Sequence, residues 1–146
     1  MDIQMINKEL LKGLHDKATG NERLHQNFDL RTTPEDGSQR MLNALEVGTK
    51  VLIHRHEETV ACLQGSLDVF FYVELSRLAS SNELPEVERP NMDAGGPGRE
   101  FQETFRKELC PAKGRYGVQI PKGAWHTIEF FEESTFFESK DGKYML

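Results

Sequence analysis

Apolar residues along this chain follow two rhythms. From Ile3 to Asp16, Ile3, Ile6, Leu10, Leu11 and Leu14 recur near helical spacing, while Asn7, Lys8, Glu9, Lys12 and His15 fill the other faces. The spacing predicts an amphipathic helix that ends around Thr19-Gly20 and lies against the body of the protein or a partner chain. On this pattern His15 is a solvated helix residue. From Arg40 the rhythm shortens to that of strands. Met41 to Val47 and Lys50 to His56 are apolar stretches hinged at Gly48, and Thr59 to Gln64 and Leu67 to Val73 flank Gly65-Ser66. Gly117 to Ile120, Trp125 to Phe131 and Thr135 to Lys140 complete the set, with turns at Pro121-Lys122-Gly123 and Glu132-Glu133-Ser134. Short strands with turn signals at regular intervals predict an all-β sandwich or closed barrel. The break is Leu75 to Lys113, with Pro85, Pro90 and the run Asn91-Met92-Asp93-Ala94-Gly95-Gly96-Pro97-Gly98. Loops of that length in compact domains tend to be functional or disordered. Leu84 to Phe101 is therefore expected to act as a lid, and Phe101 to Cys110 to return as a strand.

Composition narrows the class. A chain of 146 residues with nine Phe fits one domain with a core of its own, read as residues 21–146 behind a helical segment 1–20. No stretch approaches the roughly 20 apolar residues of a membrane span. The opening Met1-Asp2-Ile3-Gln4 shows neither a basic nor an apolar leader, and Cys62 and Cys110 fit reduced thiols, so the expected location is cytoplasmic. A net charge of −6 argues against nucleic acid as a partner. Val51 and Ile53, with Phe70 and Tyr72 opposite Leu67, Val69 and Phe71, make both faces of their strands apolar, which predicts a homodimer.

The chemistry concentrates in His54-Arg55-His56. On a strand, residues i and i+2 share a side, so the two imidazoles converge, together with Leu52 and Lys50, and oppose Val51, Ile53 and Arg55. Glu58 follows two residues on, and His126 lies downstream, on one face with Ile128 and Phe130. Two histidines, a carboxylate and a distant histidine predict a site for one divalent transition metal. Zinc, iron, manganese and nickel all suit the set. Four protein ligands would leave two positions of a six-position shell for a ligand with adjacent oxygens, such as a sugar, or for O2. Lys50, Arg40, Asn43, Gln64 and Tyr116 are candidate pocket residues. Cys62 reads as a small buried hydrophobe. Trp125, opposite to His126, is expected to pack outside the barrel or at a dimer interface.

The pattern Gly48-x5-His54-x-His56-x-Glu58-x6-Gly65, followed by Pro121-x-Gly123-x2-His126, resembles the two motifs of the cupin superfamily. Gln39 to Thr49, Glu58-Thr59 and the ending Glu138-Ser139-Lys140-Asp141-Gly142-Lys143-Tyr144 resemble the WbuC family of cupin-fold metalloproteins, over about Leu24 to Tyr144. Cupins usually place three or four residues between the second histidine and the glutamate. Here only Glu57 intervenes, which leaves Glu57 as the alternative carboxylate. The resemblance implies a double-stranded β-helix (jelly-roll barrel) with a short N-terminal helix. It also implies a metal-binding cupin acting on a small polar, carbohydrate-related molecule, in the setting of surface-polysaccharide (O-antigen) biosynthesis. An enzyme of this kind would be an isomerase, epimerase or oxygenase. The alternative is a non-catalytic, metal-dependent module that binds or senses a sugar or metabolite.

Overall fold

The computed structural model describes residues 2–75 and 98–142. Most of the expected lid, Leu84 to Phe101, and Tyr144 lie outside these residues. One helix and eight strands follow in the order α1 (Lys8–Thr19), β1 (His25–Asp29), β2 (Ser38–Leu45), β3 (Glu58–Gln64), β4 (Leu67–Glu74), β5 (Phe101–Leu109), β6 (Gly117–Ile120), β7 (Trp125–Phe130) and β8 (Ser134–Asp141). The strands form two antiparallel sheets, one ordered β1-β2-β8-β3-β6 and the other β5-β4-β7. Among the described residues the ladders leave β1, β6, β5 and β7 as edges rather than closing into one barrel. The expected all-β class holds at that level.

Alternation explains the layers. On β2, Leu42 and Ala44 face α1, where they meet Leu11, Leu14 and Ala18 with Phe28, Leu30 and Phe137 around them. Leu45, on the other side of β2, joins Val60, Cys62, Ile120 and Phe136 of its sheet against Leu67, Val69, Ile128 and Phe130 of the second. Each fully buried leucine in these clusters contributes about 1.5–3 kcal/mol of transfer free energy. Between β3 and β4 the chain turns at Gly65 (φ 88°), where a Cβ would collide with Ser134 and Glu133. Only glycine meets both demands there.

The structure departs from the predicted elements in three places. The helix begins later than expected, at Lys8, and ends where expected, at Thr19. Asn7 caps it by accepting from the Leu10 amide at 3.0 Å, so Ile3 and Ile6 precede it and are exposed. A polar N-cap outweighs the apolar spacing upstream. Strand β1 was not anticipated, because its inward residues, His25 and Asn27, are polar.

Lys50 to His56 is not a strand. It touches β7 through one bridge, in which His54 and His126 exchange backbone hydrogen bonds of 3.0 and 2.8 Å. On either side the ladder is replaced. Thr127 Oγ1 donates to the Val51 carbonyl at 2.6 Å, and Gly123 N donates to Arg55 O at 3.0 Å. Period-two alternation therefore fails. Val51 packs against the core, and Leu52 is 72% exposed.

Two of the apolar outer positions that suggested a second copy, Phe70 and Tyr72, have partners within the chain, and the homodimer stays an expectation. Phe70 lies under the Arg106 guanidinium, 4.2 Å from the ring centroid. Tyr72 meets Phe101, and Trp125 sits between Arg55 and Arg99 at 4.8 and 5.1 Å. Edge strand β5 carries Glu103, Arg106, Lys107 and Glu108, charges of the kind that deter pairing with another chain.

Candidate metal centre

Three elements meet at one end of the interior. Glu58 opens β3 and is almost fully buried. His126 is the second residue of β7 and has no exposed surface. The bridge holds His54 beside it, with the two rings 4.3 Å apart. His126 Nε2 lies 2.8 Å from Glu58 Oε1, and His54 Nε2 lies 3.3 Å from the same oxygen. The longer spacing matches the edge of a tetrahedron built on metal–ligand bonds of 2.0–2.1 Å, roughly 3.3 Å, and the shorter is that of a hydrogen bond.

The tautomers follow from the other side of each ring. His126 Nδ1 is 2.8 Å from Ala124 O, and His54 Nδ1 is 3.0 Å from Leu52 O. A carbonyl only accepts, so each Nδ1 carries a proton and donates it. In the neutral rings both Nε2 lone pairs then face a carboxylate, an arrangement that calls for a cation. Protons on both rings would satisfy it, and so would a metal ion. Backbone carbonyls that orient ligating histidines in this way are a regular feature of metal sites. The second carboxylate oxygen, Glu58 Oε2, is buried without a hydrogen-bond partner, and Lys140 Nζ stands 3.9 Å from it. The donor set and the orphaned oxygen both fit a divalent ion.

The charges agree with the geometry. Burial pushes the Glu58 carboxyl up, but hydrogen bonds from His126 and His54 outweigh it and hold the group well below the usual carboxylate range. For His54, burial pulls down, while the hydrogen bond and charge of Glu58 raise the net value above that of a free imidazole.

Of the four residues expected as ligands, His54, Glu58 and His126 bring their ligand atoms together, all within 4.8 Å of one another. His56 stands beside them, its ring 5.3 Å from that of His54, on the wall of an adjoining cleft of about 750 Å³. Glu57 is exposed and Glu58 buried, so Glu58 is the carboxylate that meets the histidines.

Among the pocket candidates only Asn43 faces the same interior, with its Oδ1 3.1 Å from His25 Nε2. Arg40 points the other way and pairs with Asp36 at 2.9 Å. Lys50 lines a separate shallow cleft with Tyr72 and Glu129, because the segment that would have aligned it with His54 is not a strand. Gln64 closes β3, six residues and about 20 Å from Glu58 at the rise of a strand. Tyr116 is 65% exposed and contributes its carbonyl to Cys62 N.

The sequence reading placed Gln39, Glu138 and Lys140 in the family-like stretches and not at the site. Alternation from the core residue Phe136 puts Glu138 and Lys140 on the interior side of β8, so the signal was present. Gln39 Nε2 donates to Glu138 Oε1 at 3.3 Å. Burial and the nearby Glu58 charge raise the Glu138 carboxyl above its ordinary value, against the pull of Lys140 and Asn43.

His15 was also misplaced. It is buried, with Nε2 2.6 Å from Thr135 Oγ1 and Nδ1 3.1 Å from Glu46 and 3.2 Å from Glu133. It completes the Leu11, Leu14, Ala18 face at i, i+3, i+4, i+7, a stripe that places it underneath the helix.

A family model described as a domain of unknown function (DUF6016) matches residues 6–84. The chain belongs to this family. The DUF6016 match covers α1 and β1 to β4 and includes two of the three converging side chains, His54 and Glu58. No curated protein matches the sequence. Among solved structures, the DUF6016 chain is similar to a conserved SPY1581 protein of unknown function from Streptococcus pyogenes. The TM-score is 0.56 at 8% identity, over 99% of this chain and 92% of the other. At that identity the likeness concerns the fold alone.

Proposed function

We propose that this DUF6016 protein binds one divalent transition metal through His54, Glu58 and His126, and that it is a cupin-like protein of the WbuC type. In this reading it acts on a small polar, carbohydrate-related molecule, in the setting of surface-polysaccharide biosynthesis. The observation that carries the metal reading is the pair of Nε2 atoms turned onto Glu58 Oε1 while both Nδ1 atoms are committed to backbone carbonyls. The two facing antiparallel sheets support the cupin reading.

When bound, a divalent ion with open positions would polarise a carbonyl or lower the pKa of a bound water. The chain's own groups would do the rest. The Leu52 and Ala124 carbonyls fix the two rings, and the apolar floor of Ile120 and Phe71 beside them limits water. His56 on the cleft wall supplies a fourth nitrogen beside the site. Zinc, iron, manganese and nickel all remain compatible with two imidazoles and a carboxylate.

The test is metal analysis of protein purified without an affinity tag, followed by reconstitution with each of the four metals. One metal ion per chain is expected. A stoichiometry well below one after reconstitution would remove the reading.

A further inference from the structure

The cleft beside the candidate metal centre has Glu58 and His56 in its lining. Arg55, Lys122 and Lys140 also line it, against the carboxylates of Glu57, Glu58 and Asp141. Basic and acidic groups therefore balance until a divalent ion sits on Glu58. Its double charge is then uncompensated, in a chain whose overall balance is −6.

Lys140 is where that excess is felt. Its side chain is 18% exposed, and the charged partner it reaches is Glu58, with Nζ to Oε2 at 3.9 Å, beyond hydrogen-bond length. Glu138, two residues earlier on β8, is turned to Gln39. Once Glu58 is shared with a cation, this mostly buried ammonium loses its nearest carboxylate and keeps the longer-range attraction of Glu138, and buried charges require close partners. The adjoining wall offers hydroxyls and amides. Thr59 on β3 lies opposite Gln119 on β6 and Ser139 on β8, all three at the cleft surface, and Thr59 Oγ1 bonds Gln119 Oε1. Such groups pair well with the hydroxyls of a ligand, each of which can both donate and accept.

From this arrangement we propose that the cleft binds a small hydroxylated anion, a carboxylate or phosphate carried on a polyol skeleton, with Lys140 as its anchoring residue. The inference rests on the metal reading above and adds to it the ligand's charge and the residue that recognises it. Lys122, on the exposed turn before β7, adds a second positive charge at the mouth of the cleft.

The test is calorimetric titration of the full-length, metal-loaded protein with D-gluconate, D-glucose 6-phosphate and neutral D-sorbitol, with metal content measured on every sample. Both anions should bind at least about tenfold more tightly than sorbitol, the scale of one charge-assisted hydrogen bond. The tighter of the two identifies carboxylate or phosphate as the natural group. Lys140→Met should weaken both anions by about tenfold or more at unchanged metal content, and Lys140→Arg should restore most of the loss. If Lys140→Met does not fold, Lys122→Met must show the same selective weakening of the anions. Sorbitol binding as well as the anions, or no change in either lysine variant, overturns the proposal while the metal reading stands. Failure to take up metal removes both, and the metal analysis reports that case separately.

Discussion

The interior between the two sheets has two unlike ends, and single strands run through both. On β3, Glu58 begins the strand among His54, His126 and Lys140, and Cys62, four residues on, sits in apolar packing. On β8, Phe136 stacks with Phe130, centroids 6.1 Å apart, while Glu138 and Lys140 on the same face look into the polar end. The apolar end is satisfied. Its residues are buried against one another, and its thiol donates to Gln64 O at 3.3 Å. The polar end is not. Gln39 Oε1, Asn43 Nδ2, Asn27 Oδ1 and Glu58 Oε2 are all buried without a hydrogen-bond partner. Each such atom costs about 1–3 kcal/mol. A fifth such atom, Asp68 Oδ1, lies on β4 between Leu67 and Val69. The other four gather at the polar end, apart from the apolar cluster that holds the sheets together.

Substitutions at the two ends should therefore fail in different ways. The largest effect is expected at the polar end. His126→Ala or Glu58→Ala should lower metal affinity by at least ~100-fold, since losing a ligand exceeds the ~10–100-fold typical of losing a group behind one. Competition against a chromogenic chelator measures it. Unchanged affinity in both variants would merge the two ends into one structural core. Phe136→Ala at the dry end should cost about 3–5 kcal/mol in urea unfolding. Metal stoichiometry should stay unchanged wherever the variant is folded. A Phe136→Ala protein of normal stability that lost its metal would reverse the assignment of the two ends.

The contrast also governs what the sequence revealed. The dry end was legible because period-two alternation of Leu67, Val69 and Phe71 or of Ile128 and Phe130 is the signature of a half-buried strand. Three of the four candidate ligands stood out for a different reason, as rare side chains at telling spacing. His54, Glu58 and His126 converge and His56 stands aside, although the geometric premise of the spacing failed. His54 and His126 meet through one bridge and a turn at Gly123, not along a ladder in which His54 and His56 share a side. Lys50 was misplaced by the same premise. The polar wall of Gln39, Glu138 and Lys140 was hidden because polar residues facing inward look, in a sequence, like residues facing water. β1 escaped notice for that reason too. The 76–97 segment lies outside the described residues, so a lid there stays an expectation.

The helix side offers an intermediate effect. His15 ties α1 to the Glu46 loop and the turn before β8 through Glu46, Glu133 and Thr135. His15→Ala leaves Thr135 buried without its partner and should cost about 1–3 kcal/mol, the scale of a buried polar group left unsatisfied. Hydrogen exchange should rise in 8–19 before it rises in β4 or β7. A uniform rise across all elements would show that the helix is no separate layer.

The smallest effect concerns the thiol at the dry end. Burial, followed by the nearby Cys110, pushes Cys62 up to about 11 from its ordinary 9.0. A folded value above the unfolded one means that Cys62 contributes its full stability below pH 9, where the thiol is neutral in both states. The contribution is lost as pH rises through 11, because only the unfolded thiol ionises freely in that window. At pH 10 the loss is up to about 1.4 kcal/mol, from 1.36 kcal/mol per pKa unit, reduced to about 1 kcal/mol by solvent screening. Cys62→Ala has no group to ionise. Its deficit relative to the natural chain at pH 8, due to lost packing, should therefore shrink by about that amount at pH 10. Pairing the two proteins cancels the other groups that titrate there. Native Cys62 should also react slowly with iodoacetamide at pH 8, since the thiolate is the reactive form. A deficit constant from pH 8 to 10, together with fast alkylation of the folded chain, would mean that water reaches this end of the interior as well, and the division between a dry end and a polar end would not hold.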